Sequence, residues 1–132
     1  MDIRRMLATD RFVQDMKIRL VSLKEGEAVL EMDLEERHLN GNDVAQGGVI
    51  FTLADAAFAA AVNSPERDVV TQDCAINFLR PAPLGTITAR AAAVHIGRRT
   101  CCADVTVTDE KGKILAKMQG TGFVTGPVPS KQ

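Results

Sequence analysis

The chain has 132 residues, a formal net charge of −1, five Phe and neither Trp nor Tyr. That length suits one domain with a single core, so one cooperative unit over residues 1–132 is expected. Near-neutral charge and few aromatic rings argue against nucleic acid as a partner.

In chain order, the opening "MDIRRMLATDRFVQDM" carries basic residues but no unbroken apolar stretch. Residues 1–15 read as a short amphipathic helix with Met6, Leu7, Phe12 and Val13 turned inward, and not as an export signal. Next, "MKIRLVSL" and "EAVLEMDL" alternate polar with apolar residues on either side of "KEG", the pattern of a hairpin with one buried face. A polar loop, "EERHLNGNDVAQGG", leads to Gly48 and the most apolar run of the chain, Val49 to Val62. This run is shorter than the roughly 18–20 residues that a membrane span needs and carries Asp55 near its middle, so it is expected as a buried helix. Asn63, Ser64 and Pro65 end it.

Strand-like segments follow, "VVTQDCAINFLRP", "TITARAAAVHIG", "RTCCADVTVTDE" and "KILAKMQGTGFVT". Turn residues separate them at Pro83-Leu84-Gly85, Gly97-Arg98 and Glu110-Lys111-Gly112. The tail "GPVPSKQ", residues 126–132, is expected to be loose. Two strands, one helix and then a long antiparallel meander make an α+β domain. Phe51, Ala54, Phe58 and Ala61 lie on one side of the helix, while Ile50, Leu53, Ala57 and Ala60 extend the apolar surface around it. Such a helix must be wrapped nearly all round, which a curved sheet of five to six strands would do, and any surface left open would have to meet a second subunit.

Asp55 is the sharpest anomaly, because a buried carboxylate is costly unless it protonates or finds donors. It is either a structural Asp bonded to a neighbouring strand or chain, or a catalytic carboxylate tuned by desolvation. Gln46-Gly47-Gly48 supplies bare backbone at a helix N-terminus, where free N–H groups and the helix dipole favour developing negative charge. The glycines also suit close packing alone. Eight residues separate Gly47 from Asp55, so at ~1.5 Å rise per residue they lie ~12 Å apart, too far to share one carbonyl. Two such helices paired antiparallel across a two-fold axis would bring Gly47 of one copy to Asp55 of the other, so an obligate homodimer with interfacial sites is expected.

Taken together, "HLNG", "QGGVIFTLADAAFAAAVNS", "FLRPA" and "GRRT", in this order and spacing, resemble the hotdog-fold acyl-CoA thioesterases, and most nearly the phenylacetate-degradation subfamily. The resemblance covers about His38 to Phe123. It implies a hotdog fold, a long central helix gripped by an antiparallel sheet, in dimers that often form homotetramers. It implies thioester hydrolysis of an acyl-CoA without metal or other cofactor, with Asp55 as nucleophile or general base. Gly47 matches the residue whose N–H polarises the thioester oxygen, and Asn40 one that holds the carboxylate or the water. Thr71 matches a hydroxyl offered by the partner subunit. Gln46 departs from the pattern, since many relatives carry His there, and Gln cannot carry a proton near neutral pH. Arg98 and Arg99 match a turn whose basic groups meet the phosphates of CoA, and Arg80 is a further CoA candidate that also suits closing a strand edge.

The remaining reactive side chains make a weaker case. Cys74, Cys101 and Cys102 are an odd set without C-x-x-C spacing, which suits a reducing cytoplasm. Cys101 and Cys102, adjacent on a strand, point to opposite faces, and at least one is core. His38 and His95 are too few for a zinc site, and His38 suits shaping the loop that presents Asn40. Besides hydrolysis, the same residues admit a silent acyl-CoA binding module. A hotdog dehydratase ranks last, because no His lies near the helix.

Overall fold

The computed structural model describes residues 1–125. The tail expected to be loose lies outside the described residues. Alternation in "EAVLEMDL" sets the first layer: in β2 (Glu27–Leu34) Ala28, Leu30, Met32 and Leu34 are buried, and Val29, Glu31 and Asp33 face away. A two-residue turn, Glu25-Gly26, joins β2 to β1 (Arg19–Lys24). Gly26 has φ 78°, a left-handed conformation that a glycine adopts without steric cost.

The further strands are β3 (Val69–Phe78), β4 (Gly85–Ile96), β5 (Thr100–Thr108) and β6 (Ile114–Val124). All pairs are antiparallel, and the order is β1-β2-β4-β5-β6-β3. Six strands meet the expected number, but the plain meander needs correction. β4, β5 and β6 follow one another, whereas β3 pairs with β6 at the far edge and β4 pairs with β2. The reason lies in the segment after β3. The amides of Leu79 and Arg80 donate to the Leu115 carbonyl, and the Ala82 carbonyl accepts from Ala45. With Pro81 and Pro83 holding it extended, this stretch crosses the end of the sheet instead of turning tightly back.

The apolar run forms α3 (Gly47–Val62), which packs against all six strands. Ile50, Leu53, Ala54, Ala56, Ala57, Phe58, Ala60, Ala61 and Val62 are buried, and the many alanines let the strands approach its axis. Phe51, Thr52, Asp55 and Ala59 form the half-buried stripe that the sheet does not cover. The N-terminal segment lies over that stripe, and it is two short helices where one is expected. α1 (Ile3–Thr9) and α2 (Arg11–Asp15) are broken at Asp10, whose carboxylate accepts from the Val13 amide at 3.0 Å and caps α2. Leu7 and Val13 are buried as expected, but Phe12 is 59% exposed. The break at Asp10 ends the helical register of α1, so the inward face does not continue through Phe12. Among the described residues no helix is long and apolar enough to cross a membrane.

The fully buried Phe58 ring reaches β6 at Gly120, where an added Cβ would lie 2.8 Å from Phe58 Cε1. Gly120→Ala is therefore expected to cost about 1–3 kcal/mol of stability by overpacking, read as a lower urea midpoint with an unchanged slope.

Candidate active site

The placement of β3 against α3 begins at Asn63, which is buried just past the end of the helix. Its Nδ2 donates to the carbonyls of Ala59 at 2.9 Å and Val69 at 3.3 Å, and its Oδ1 accepts from the Val69 amide at 2.8 Å. Starting from that clamp, β3 runs back along the helix, so Thr71 arrives beside Asp55 and Phe78 beside Gly47. A bulge at Gln72 assists. Thr71 lies opposite Gly122 and Asp73 opposite Thr121, and the extra residue turns both Thr71 and Cys74 toward the helix.

Thr71 Oγ1 donates to Asp55 Oδ1 at 3.0 Å. Burial raises the Asp55 pKa above its ordinary value, the Thr71 bond opposes that rise, and the nearby Asp10 carboxylate adds to it. Cys74 feels the same environment: burial first, then Asp55 and Asp73, push its thiol up and keep it protonated. Asp55 opens into a cleft of about 220 Å³ between α3 and the N-terminal helices, lined by Met6, Asp10, Phe12, Val13 and Phe51 among others.

At the other end of the line, Gln46 is the N-cap of α3 and Gly47 its first residue. The Gln46 side-chain oxygen accepts from the Gly48 amide, and its carbonyl accepts from Val49 at 2.9 Å. Gly47 N–H stands where no carbonyl one turn earlier can accept it, at the positive end of the helix dipole. The Phe78 ring packs on this glycine, 3.3 Å from where a Cβ would sit. His38 braces the approach as expected. Its carbonyl accepts from the Gln46 amide at 2.9 Å, and its buried ring accepts from the Glu35 amide at 2.9 Å through Nδ1, while burial lowers its pKa.

Several site residues expected from the sequence are not drawn together within one chain. Asn40 Oδ1 accepts from the amides of Asn42 at 2.8 Å and Val44 at 3.4 Å, which shapes its own turn, and no hydrogen bond links it to Asp55. The Thr71 hydroxyl, expected from a partner subunit, reaches Asp55 within the chain. Gly47 and Asp55 are eight residues apart on one uninterrupted helix, hence ~12 Å. Arg98 and Arg99 are exposed in the β4–β5 turn. The pairing Thr71–Gly122–Cys101 puts that turn at the Asp55 end of the sheet. Arg80 lies at the opposite end, where its guanidinium donates to the Ile114 carbonyl at 3.0 Å and ties down the strand edge. Cys101 is buried, Cys102 half-buried and His95 exposed.

Three neighbours of the site escape a sequence reading. Asp10 carries the usual N-cap signal, an Asp before an apolar-periodic turn, but inside a segment read as one helix. Cys74 needs the bulge to face Asp55, and the role of Phe78 depends on the direction of β3.

The chain thus combines a long helix in an antiparallel sheet, a desolvated carboxylate and a helix that starts on a glycine pair. The thioesterase superfamily model matches residues 42–116. The chain belongs to the thioesterase superfamily. This superfamily member is 36% identical to the acyl-coenzyme A thioesterase PaaI of Escherichia coli, over 92% of the chain and 91% of the relative. The solved E. coli PaaI protein, from the phenylacetic acid degradation operon, superposes with TM-score 0.91 at 35% identity, covering 94% of this chain and 91% of that one. A Streptococcus mutans protein solved bound to acetyl CoA superposes with TM-score 0.80 at 36% identity, covering 84% and 90%. The fold is that of these thioesterases, the hotdog fold.

Two outcomes test the electrostatics of Asp55. Thr71→Val removes a donor that favours the ionised form, so the Asp55 pKa is expected to rise further, read by NMR titration of the carboxyl carbon. For stability, a raised folded-state pKa means that ionised Asp55 destabilises the fold above that pKa. The cost disappears as pH falls below the ordinary aspartate value of ~3.9. Asp55→Asn is expected to melt above the parent protein at pH 7, with the gap closing toward pH ~4.

Proposed function

We propose that the protein hydrolyses small or aromatic acyl-CoA thioesters to the free acid and CoA, with Asp55 as general base. The observation that carries this reading is the desolvated Asp55 carboxylate, opening into an apolar cleft and oriented by Thr71. Its raised pKa makes it a stronger base than a free carboxylate. Family membership and the named activity of the E. coli relative support thioester chemistry, and the operon of that relative favours aryl acids such as phenylacetate.

In the proposed step Asp55 removes a proton from water, and the resulting hydroxide adds to the thioester carbonyl carbon. The carbonyl oxygen becomes an oxyanion held by the Gly47 amide, whose place at the helix start suits negative charge. Collapse breaks the C–S bond, and the proton held by Asp55 passes to the departing thiolate. One water is consumed, and one acid and one thiol are released. A single chain separates its donor and base by ~12 Å, so the donor in this reading comes from a second copy paired antiparallel along α3. The same two-fold operation brings the Arg80 end of one sheet toward Arg98 and Arg99 of the other, a basic rim suited to CoA phosphates. Asn40 then approaches Asp55 or the attacking water from the partner, and Gln46 serves as the cap that presents Gly47. We place the protein in the cytoplasm, where its three free thiols stay reduced, as a homodimer assembled into a tetramer.

Free-thiol release from a panel of acyl-CoAs tests the reading. Asp55→Asn is expected to lower kcat by ~10² or more with the fold retained. Gly47→Pro removes the amide donor at a position where helices accept proline, with the Phe78 ring shifting to admit the new ring, and with the fold retained by circular dichroism it is expected to lower kcat by ~10²–10³. Full turnover by the Asn variant removes Asp55 from the chemistry. Tight acyl-CoA binding without thiol release by the parent protein makes it a binding module instead.

A further inference from the structure

The cleft above Asp55 has walls of two kinds. Met6, Phe12, Val13 and Phe51 make most of it apolar, and Asp10 places a carboxylate at the corner where α1 meets α2. Its volume, about 220 Å³, exceeds the ~150 Å³ of an apolar cavity that accepts benzene, so a phenyl ring or a short alkyl chain fits. Asp10 is not free to swing away. Its Oδ1 accepts from Val13 N at 3.0 Å, its amide donates to the Met6 carbonyl at 3.1 Å, and its carbonyl accepts from Gln14 at 3.0 Å. Gln14 in turn donates through Nε2 to the Leu7 carbonyl at 3.0 Å, which locks the angle between the two helices.

We infer that this cleft receives the acyl tail and that Asp10 is a specificity-determining residue, admitting neutral tails and turning away those that end in a carboxylate. The inference rests on the proposed thioesterase reading and adds the chemistry of the tail. Asp55 opens into this recess beside α2, so a tail on a thioester attacked at Asp55 extends into it. A second carboxylate entering there would lie among apolar side chains, facing Asp10 and Asp55 with no cation among the lining residues. Placing a carboxylate on an apolar wall within reach of two like charges is unfavourable even though Asp10 itself is exposed, so rejection comes from charge and needs no steric block. Asp10 also raises the Asp55 pKa, so its charge acts on this recess as the structure stands.

Hexanoyl-CoA and adipoyl-CoA match in length and differ only at the tail terminus, methyl against carboxylate. The ratio of their kcat/KM values would be measured for the parent protein, for Asp10→Asn and for Asp10→Ser. Both variants keep the N-cap while removing the charge. Each is expected to shift the ratio toward adipoyl-CoA by ~10-fold or more. In addition, Met6→Trp, which fills the recess, should depress kcat/KM for phenylacetyl-CoA more than for acetyl-CoA. An unchanged ratio in both Asp10 variants, with thiol still released, overturns the role of Asp10. Equal losses on phenylacetyl-CoA and acetyl-CoA in Met6→Trp overturn the assignment of the recess. No thiol release from any acyl-CoA by the parent protein overturns instead the thioesterase reading on which both depend.

Discussion

A carboxylate on a helix that is otherwise wrapped in apolar side chains sets the terms for everything near it. Water is partly removed from Asp55, and the only hydrogen bond it receives among the described residues comes from Thr71. One donor does not offset the burial, so the carboxyl holds its proton more tightly than a free aspartate. Folding is poorer for this arrangement, and the carboxylate is more basic for it. Two features of the surrounding structure place that hydroxyl: the Asn63 clamp fixes where β3 begins, and the Gln72 bulge turns Thr71 inward.

Helix length imposes the second constraint. α3 is straight chain geometry from Gly47 to Val62, so a free amide at its first residue and a carboxylate two turns later cannot converge on one carbonyl. The sheet gives no alternative route, because Phe78 packs over Gly47 and Thr71 over Asp55 at separate positions along the same strand. β3 is an edge strand, and Val70 and Phe78 on it and Leu79 just after it are open to solvent. In the proposed assembly one contact therefore covers that edge and completes two sites.

Much of this was legible in the residues. Alternation in "EAVLEMDL" and the unbroken apolar helix pointed to a half-buried sheet around a core helix, an arrangement that removes Ile50, Leu53 and Phe58 from water together. Asp55 stood out for the same reason, as a charge inside a pattern that excluded charge. The position of β3 was not legible, since local turn chemistry around Pro83 and Gly85 is compatible with a hairpin and only the long-range bonds of Leu79, Arg80 and Ala82 decide otherwise. That misplacement hid Phe78 and Cys74. Asp10 was hidden differently: helical periodicity ran through it, and only the capping bond to Val13 reveals the break that brings its charge to the cleft.

The shared site can be tested most directly by complementation. Two inactive forms, Asp55→Asn and Gly47→Pro, would be co-expressed with different tags and the mixed species isolated and assayed. With random pairing half of the dimers are mixed and each holds one intact site, so the unsorted population should recover about a quarter of parental thiol release. Activity in the mixed dimers is the predicted result. Mixed dimers as inactive as either parent variant would show that base and amide act within the same chain, or not together at all, and would contradict the account.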